Sequence, residues 1–210
     1  MDRSSEKARL RKLFRARRDD LSEDELLLRS RKINENFLQN LLPKIYQKED
    51  EKIFSLYLST GHEVSTGLIA QSFQENKISF SYPRIIAKNQ PLEFIRFQSE
   101  TRFLANKFYS QILEPNEGEK TLPDFVILPL VAFDSDLSRL GMGGGFFDRT
   151  INFLKTKKSK IITVGLAFDF QGSNDPLPVE NTDQKLDFIV TEKNLFSPSR
   201  IQCGSASKII

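Results

Sequence analysis

At 210 residues, 39% of them hydrophobic and 28% charged, the chain has the length and composition of a single globular domain with room for a sizeable core. No apolar run approaches the ~20 residues that cross a bilayer, and the charged N-terminus lacks the pattern of a secretory signal, so a cytoplasmic protein without membrane contact is expected. The net charge of +3 is modest but unevenly placed, because Lys7, Arg9, Arg11, Lys12, Arg15, Arg17 and Arg18 crowd one short stretch.

That stretch falls in a predicted helix over residues 4–19. Leu10, Leu13 and Phe14 form an apolar stripe, and Lys7, Arg11, Arg15 and Arg18 lie on a neighbouring face at helical spacing. A second helix follows in "LSEDELLLRSRKINENFLQNLL", opened by a Ser22–Glu25 capping box, with Leu26, Ile33, Phe37 and Leu41 inward and Pro43 as its stop. "KIFSLYLS" (52–59) reads as a buried strand. His62, the sole histidine, sits in the loop beyond it and is expected at the surface. With one imidazole in the chain, zinc sites built from several His or Cys ligands are excluded, and a Ser-His or Cys-His device has only this residue to use. Acid–base and metal chemistry therefore rests on carboxylates, with Lys and Arg handling anions.

"EVSTGLIAQSFQEN" (63–76) is predicted as a helix with Ile69 and Phe73 inward. "KISFSYP" and "LEFIRF" read as strands, the first stopped by Pro83, and residues 99–122 are irregular. "DFVILPLVAF" (124–133) is the most apolar strand-like run; a glycine cluster and a helix to about residue 156 follow it. "KIITVGLAF" is another buried strand, "DPLPVENTDQKLD" a polar loop and "FIVT" a last short strand. Apolar β-branched runs alternating with helices predict an α/β fold. The expectation is a single three-layer α/β/α domain over residues 1–196, with a largely parallel central sheet and an N-terminal helical pair. Residues 197–210 are expected to be a loosely held tail. They include Cys203, the sole cysteine, which excludes an internal disulfide framework and fits a reducing compartment.

The segment "RLGMGGGFFDRT" (139–150) places Gly141, Gly143, Gly144 and Gly145 between a strand and a helix start. Such a loop offers backbone N–H groups and the positive end of a helix dipole to an anion. Arg139 is placed to clamp a phosphate and Asp148 to hold a magnesium ion. The same residues also suit a tight packed turn with Asp148 as a helix-start residue. The loop is neither a Walker A motif nor a dinucleotide fingerprint, since Phe146 stands where the third glycine is needed.

"LPLVAFDSDLSRLGMGGGFFDRT" resembles the signature of the 5-formyltetrahydrofolate cyclo-ligase family. Further pieces fall in family order: Lys7 and Arg11; "YLSTGHEVST" with Glu63 and Thr66; "YPRI" with Arg84; "ILEP"; "GLAFDFQ" ending at Gln171; and "PVENTDQKLD" with Asp183 and Asp187. The resemblance implies ATP- and magnesium-dependent closure of 5-formyltetrahydrofolate to 5,10-methenyltetrahydrofolate. It implies ATP contacts from Lys7, Arg11, Arg139, Leu140, Gly141, Met142, Gly143, Gly144, Gly145, Phe146 and Phe147. Folate would meet Leu58, Glu63 and the stretch from Met142 to Phe146, magnesium would sit on Asp148 and Asp183, and Arg139 and Asp148 would be catalytic. Arg84 would add charge toward a phosphate or a folate carboxylate. The partner implied is a small molecule rather than nucleic acid or membrane, and the protein a monomer.

The sequence departs from the family pattern at four places. Phe146–Phe147 replaces Tyr-Tyr, Leu130 and Ser138 stand where glycines are usual, and Thr182 takes the place of His or Asn. Two other readings stay open at this point: a folate- or nucleotide-binding protein of the same fold without turnover, and a nucleic-acid-binding module that uses the basic helix.

Overall fold

A computed structural model describes residues 2–47 and 51–198; Cys203 and the tail from residue 199 lie outside the described residues. The chain runs through α1 (Arg3–Asp19), α2 (Glu23–Asn36), a π-helical turn (Phe37–Leu41), α3 (Leu42–Ile45), β1 (Phe54–Ser55), α4 (Gly67–Glu75), β2 (Phe80–Arg84) and β3 (Glu93–Arg96). Next come β4 (Phe103–Ala105), β5 (Leu113–Pro115), β6 (Lys120–Thr121), β7 (Phe125–Pro129), β8 (Ala132–Phe133) and β9 (Arg139–Leu140). The chain closes with α5 (Phe146–Lys157), β10 (Ile162–Leu166), a 3₁₀ turn (Asp169–Gln171), β11 (Phe188–Val190) and β12 (Leu195–Phe196).

The main sheet has the order β12-β11-β10-β7-β1-β2-β3-β6. Its inner strands, from β11 across to β2, are parallel, while β12, β3 and β6 join antiparallel at the edges. The alternation of side chains along β7 shows why helices cover both faces. Phe125 and Ile127 point to the side of Ile33, Phe37, Ile69 and Phe73 from α2, the π turn and α4. Val126 and Leu128 point to the other side, against Ile151 and Leu154 of α5. Phenylalanine fills the space between layers: Phe54 stacks on Phe125 at 4.2 Å and tilts against Phe73 at 4.7 Å. Such pairs add roughly 0.5–1.5 kcal/mol beyond burial. A third cluster seats α1, where Leu10 and Phe14 meet Val131, Ala132, Leu140 and Leu177.

Several details differ from the sequence expectation. Leu13 is 39% exposed; the inward face of α1 is instead Lys7, Leu10, Phe14 and Arg18. The second helix does not stop at Pro43, which lies in the first turn of α3, where a missing N–H breaks no helical bond. Nor does Pro83 end its strand. It lies inside β2, two residues past the last pairing with β1 at Ser55–Ser81, so its absent N–H falls beyond that ladder. The irregular stretch contains a β4–β5 hairpin. A second hairpin, β8–β9, separates the apolar strand from the glycine cluster, and its turn takes Leu137 through a left-handed φ of 61°. Ser138 carries no positive φ, so the glycine usual in the family is not required there by the backbone.

Successive connections leave the centre of the sheet in opposite directions: β1 leads to β2 on one side, and β7 leads to β10 and β11 on the other. The carboxyl ends of β1 and β7 therefore part and leave a crevice, the usual ligand position in an open α/β sheet.

Candidate active site

The crevice opens into a cleft of about 1300 Å³. Tyr57 and Leu58 reach it from the end of β1, Pro83 from β2 and Pro129 from β7. The glycine loop, the 180–184 turn and α1 close it from above. Apart from Arg84, every residue that the sequence marked for ATP, folate or magnesium contact lines this one cleft, from Lys7 and Arg11 through Leu58 and Glu63 to the 139–148 stretch and Asp183. Arg84 does not line it. Its guanidinium is held by Glu93 and by the carbonyl of Asn116, so the proposed contact with phosphate or folate carboxylate is withdrawn. Thr66 and Gln171 serve the fold, the first bonding Tyr57 O at 2.7 Å and the second bonding Leu130 O and Val131 O. Asp187 does so too, bonding Thr163.

Three of the loop's glycines answer to space or backbone shape, while Gly141 has open room and no positive φ. Gly143 and Gly145 have φ of 104° and 64°, a region costly to other residues. A Cβ on Gly145 would lie 2.7 Å from the Arg149 guanidinium, and one on Gly144 would lie 3.0 Å from the Phe146 ring. Two cations brace the loop: Arg11 Nε donates to Gly141 O at 2.9 Å and Arg149 donates to Gly144 O at 2.7 Å. Gly145 is the N-cap of α5, so the first N–H groups of that helix, which have no partner inside it, begin at the loop. Met142 is 51% exposed at the rim, whereas Leu140 is buried and packs under α1.

Arg139 lies beneath the loop rather than at its mouth. Its side chain is 4% exposed; it donates to Asp148 Oδ1 at 2.8 Å and to the carbonyl of Gln184. Asp148 Oδ1 also accepts from the Gln184 N–H at 3.0 Å. Asp183, the preceding residue, accepts from Lys7 Nζ at 2.7 Å, and Glu180 lies 3.1 Å from the same ammonium. Burial of Lys7 works against its charge, but these two carboxylates outweigh it and raise its pKa. The 180–184 turn is thus pinned to α5 through Asp148 and to α1 through Lys7, and both carboxylates line the cleft. Magnesium takes few protein ligands, commonly one or two carboxylates, and draws the rest from phosphates and water. The Asp148–Asp183 pair fits that habit. Among the described residues no group of three or more His, Cys, Asp or Glu gathers as a cage.

The other end of the cleft is drier. Glu63 is 8% exposed, and its Oε2 accepts from the N–H and hydroxyl of Thr60. Burial raises its pKa, against the pull of the Thr60 N–H and the charge of Arg18. Tyr57 is fully buried with its hydroxyl on Val64 O, and burial pushes its pKa well above the usual phenol value. Leu58, Ile85, Leu92 and Ile112 add apolar wall. Phe146 meets Tyr109 edge-on at 6.0 Å and lies under the Arg149 guanidinium at 5.2 Å. A phenol therefore stands in this wall although Phe146–Phe147 provides none. His62 sits at the rim, 3.4 Å from Asp19.

Sequence reasoning named Arg18 only as part of the basic face of α1 and did not single out Tyr57, Tyr109 or Arg149; all four line the cleft. Arg149, one residue past Asp148, was the most accessible of these; Arg18 is hidden among many cations, and Tyr109 lies in the stretch read as irregular.

The chain is similar to known proteins over most of its length. Residues 3–192 match the sequence model of the 5-formyltetrahydrofolate cyclo-ligase family. A 5-formyltetrahydrofolate cyclo-ligase of Haemophilus influenzae is 34% identical over 165 residues, covering 76% of this chain and 85% of that protein. The protein of that name from Mus musculus is 30% identical over 199 residues, covering 90% and 95%. The solution structure of Aquifex aeolicus 5,10-methenyltetrahydrofolate synthetase superposes with a TM-score of 0.73 at 28% identity, covering 97% of this chain and 96% of that one.

Proposed function

The chain belongs to the 5-formyltetrahydrofolate cyclo-ligase family, and from that premise we propose that its cleft binds Mg-ATP at the glycine loop and closes 5-formyltetrahydrofolate to 5,10-methenyltetrahydrofolate. It is a ligase enzyme. The observation that carries the finer reading is the meeting of a cation-braced glycine loop, a carboxylate pair and a dry pocket in one cleft at the centre of the sheet.

The formyl oxygen is a poor leaving group. Transfer of the γ-phosphoryl group to that oxygen leaves ADP and a carbon that N10 can attack; the new C–N bond forms, the C–O bond breaks, and phosphate departs with the oxygen and the proton lost from N10. Such a transfer needs alignment and charge stabilisation rather than a protein nucleophile. Loop N–H groups, Arg11 and Arg149 supply positive potential on the phosphate side. Arg139 is a positioning residue, holding Asp148 and the 180–184 turn. Magnesium, held by Asp148 and Asp183, would neutralise phosphate oxygens as charge moves toward the leaving ADP. Glu63 and the apolar wall would orient the pteridine ring, and burial of the formyl group would keep water from the phosphorylated intermediate. On this reading the protein works as a cytoplasmic monomer. Among the described residues no helix is long and apolar enough to cross a membrane.

The test is the absorbance of methenyltetrahydrofolate formed by purified protein from 5-formyltetrahydrofolate, ATP and magnesium, beside the Asp148→Asn variant. Turnover is expected in the wild type, with kcat lowered by roughly 10²–10³-fold in the variant. ATP binding without any wild-type turnover would reduce the protein to a nucleotide-binding member of the family.

A further inference from the structure

Arg18 has no role in the site as so far described. It sits in the last turn of α1, is 5% exposed and lines the dry end of the cleft. Its Nε is buried without a hydrogen-bond partner, and its guanidinium makes no ion pair or hydrogen bond among the described residues. The other cations of the cleft that are buried or half-buried are engaged: Lys7 by Asp183, Arg11 by Gly141, Arg139 by Asp148 and Arg149 by Gly144, while Arg15, which has no such partner among the described residues, is exposed to water. A buried guanidinium without a partner is strongly unfavourable, and it persists where a ligand completes it.

Glu63 tells what that ligand presents. It lies close enough for the charge of Arg18 to act on it, yet the two do not pair. One oxygen of Glu63 already accepts from Thr60, which leaves the other for an outside donor. A guanidinium only donates and a carboxylate only accepts. Side by side and dry, with Tyr57 and Leu58 as walls, they match a flat ring edge that carries N–H groups next to a carbonyl. A phosphate or a carboxylate would meet the repulsion of Glu63.

We propose that Arg18 is a specificity-determining residue that donates to the C4 carbonyl oxygen of the pteridine while Glu63 accepts from the adjacent ring N–H and 2-amino group. This rests on the folate reading above and adds to it a residue and a rule of discrimination: 4-oxo rings are accepted and 4-amino rings, which offer a donor to a donor, are refused.

Binding is to be measured by calorimetric titration for wild type, Arg18→Met and Arg18→Lys, with folding of each checked by circular dichroism. The probes are 5-formyltetrahydrofolate, 5-formyltetrahydropteroate (which lacks the glutamate), the 4-amino-4-deoxy analogue of the former, and ATP with magnesium. Arg18→Met is expected to weaken both 4-oxo ligands equally, by roughly 10–100-fold, to abolish the preference over the 4-amino analogue and to leave ATP affinity unchanged. Arg18→Lys keeps one donor and should fall between the two; it decides the matter by its 4-oxo preference if the Met variant does not fold. Unchanged folate affinity would overturn the proposal, as would a loss confined to the glutamate-bearing ligand or one shared with ATP. If wild type turns over folate and the variants bind it unaltered, only this inference falls. If wild type binds no folate, the functional reading falls first and takes this one with it.

Discussion

Leu130 and Gly165 show how a single departure from the family pattern is absorbed. Leu130 stands where glycine is usual and is 4% exposed, and its side chain fills space that Gly165 of β10 leaves free. A Cβ on Gly165 would come within 2.6 Å of Leu130 and 2.7 Å of Leu186, both in a packed core. Gly165→Ala is therefore expected to destabilise by about 1–3 kcal/mol, with Leu130→Ala in the same chain cancelling part of the loss. A denaturant-unfolding double-mutant cycle reads the coupling directly. Glu63 gives a second prediction, with a sign that follows from its environment. Burial raises its folded pKa, so the folded state holds that proton more tightly than the unfolded state does. The resulting stability is present below the ordinary carboxylate range and is lost as pH rises through the raised value. Glu63→Gln lacks this loss. As pH rises from the ordinary carboxylate range its melting temperature should gain on that of wild type, whereas a falling difference would mean that the carboxylate is favoured by Arg18 in the free protein. At this scale the glycines, Asp148 and the basic residues were legible because each belongs to a motif with a fixed spacing. Arg18 was not, because a sequence lists cations without saying which of them is buried.

At the scale of elements, Asn34 ties two helices that pattern alone treats as separate. Its Nδ2 donates to Ser30 O and Ser65 O at 2.7 Å each, and its Oδ1 accepts from the N–H of Ile69 in α4. It thereby satisfies a helix-start donor that Thr66 does not cap, since the Thr66 hydroxyl bonds Tyr57 O instead. Asn34→Leu is isosteric but orphans the Ile69 N–H and the Ser65 carbonyl. It should cost about 1–3 kcal/mol and lower the melting temperature by roughly 2–4 °C per kcal/mol. A neutral result would show that water takes over these bonds. Helices were legible in outline because an apolar stripe at 3.6-residue spacing is a local property; their limits were not. Pro43 and Pro83 mislead because proline forbids only an N–H bond, and in both places the fold asks for none. The β4–β5 hairpin, half of whose strand residues are exposed, leaves no apolar alternation to detect.

For the whole molecule, the two larger clusters, on the two faces of the sheet, contain no residue of α1, while the third consists of α1 and its seat. A chain lacking residues 2–20 is accordingly expected to melt cooperatively at a lower temperature and to show no stabilisation by Mg-ATP, which wild type should show as ligand exceeds its Kd. Failure of the shortened chain to fold would place α1 in the core proper. The α/β class and the parallel sheet were legible from alternating runs of apolar sequence. The cleft was not, because it is made by parts of the chain that spacing cannot bring together.

Those parts are far apart in time as well as in sequence. Lys7 waits for Asp183, 176 positions later, and Arg11 for Gly141, 130 positions later. During synthesis α1 is made well before its partners and is matched only after most of the sheet exists to receive it. The emerging chain thus carries a basic helix with a bare apolar side until the segments up to Asp183 have been made. A cleft that needs Lys7 and Arg11 in its wall is accordingly complete only once α1 has docked.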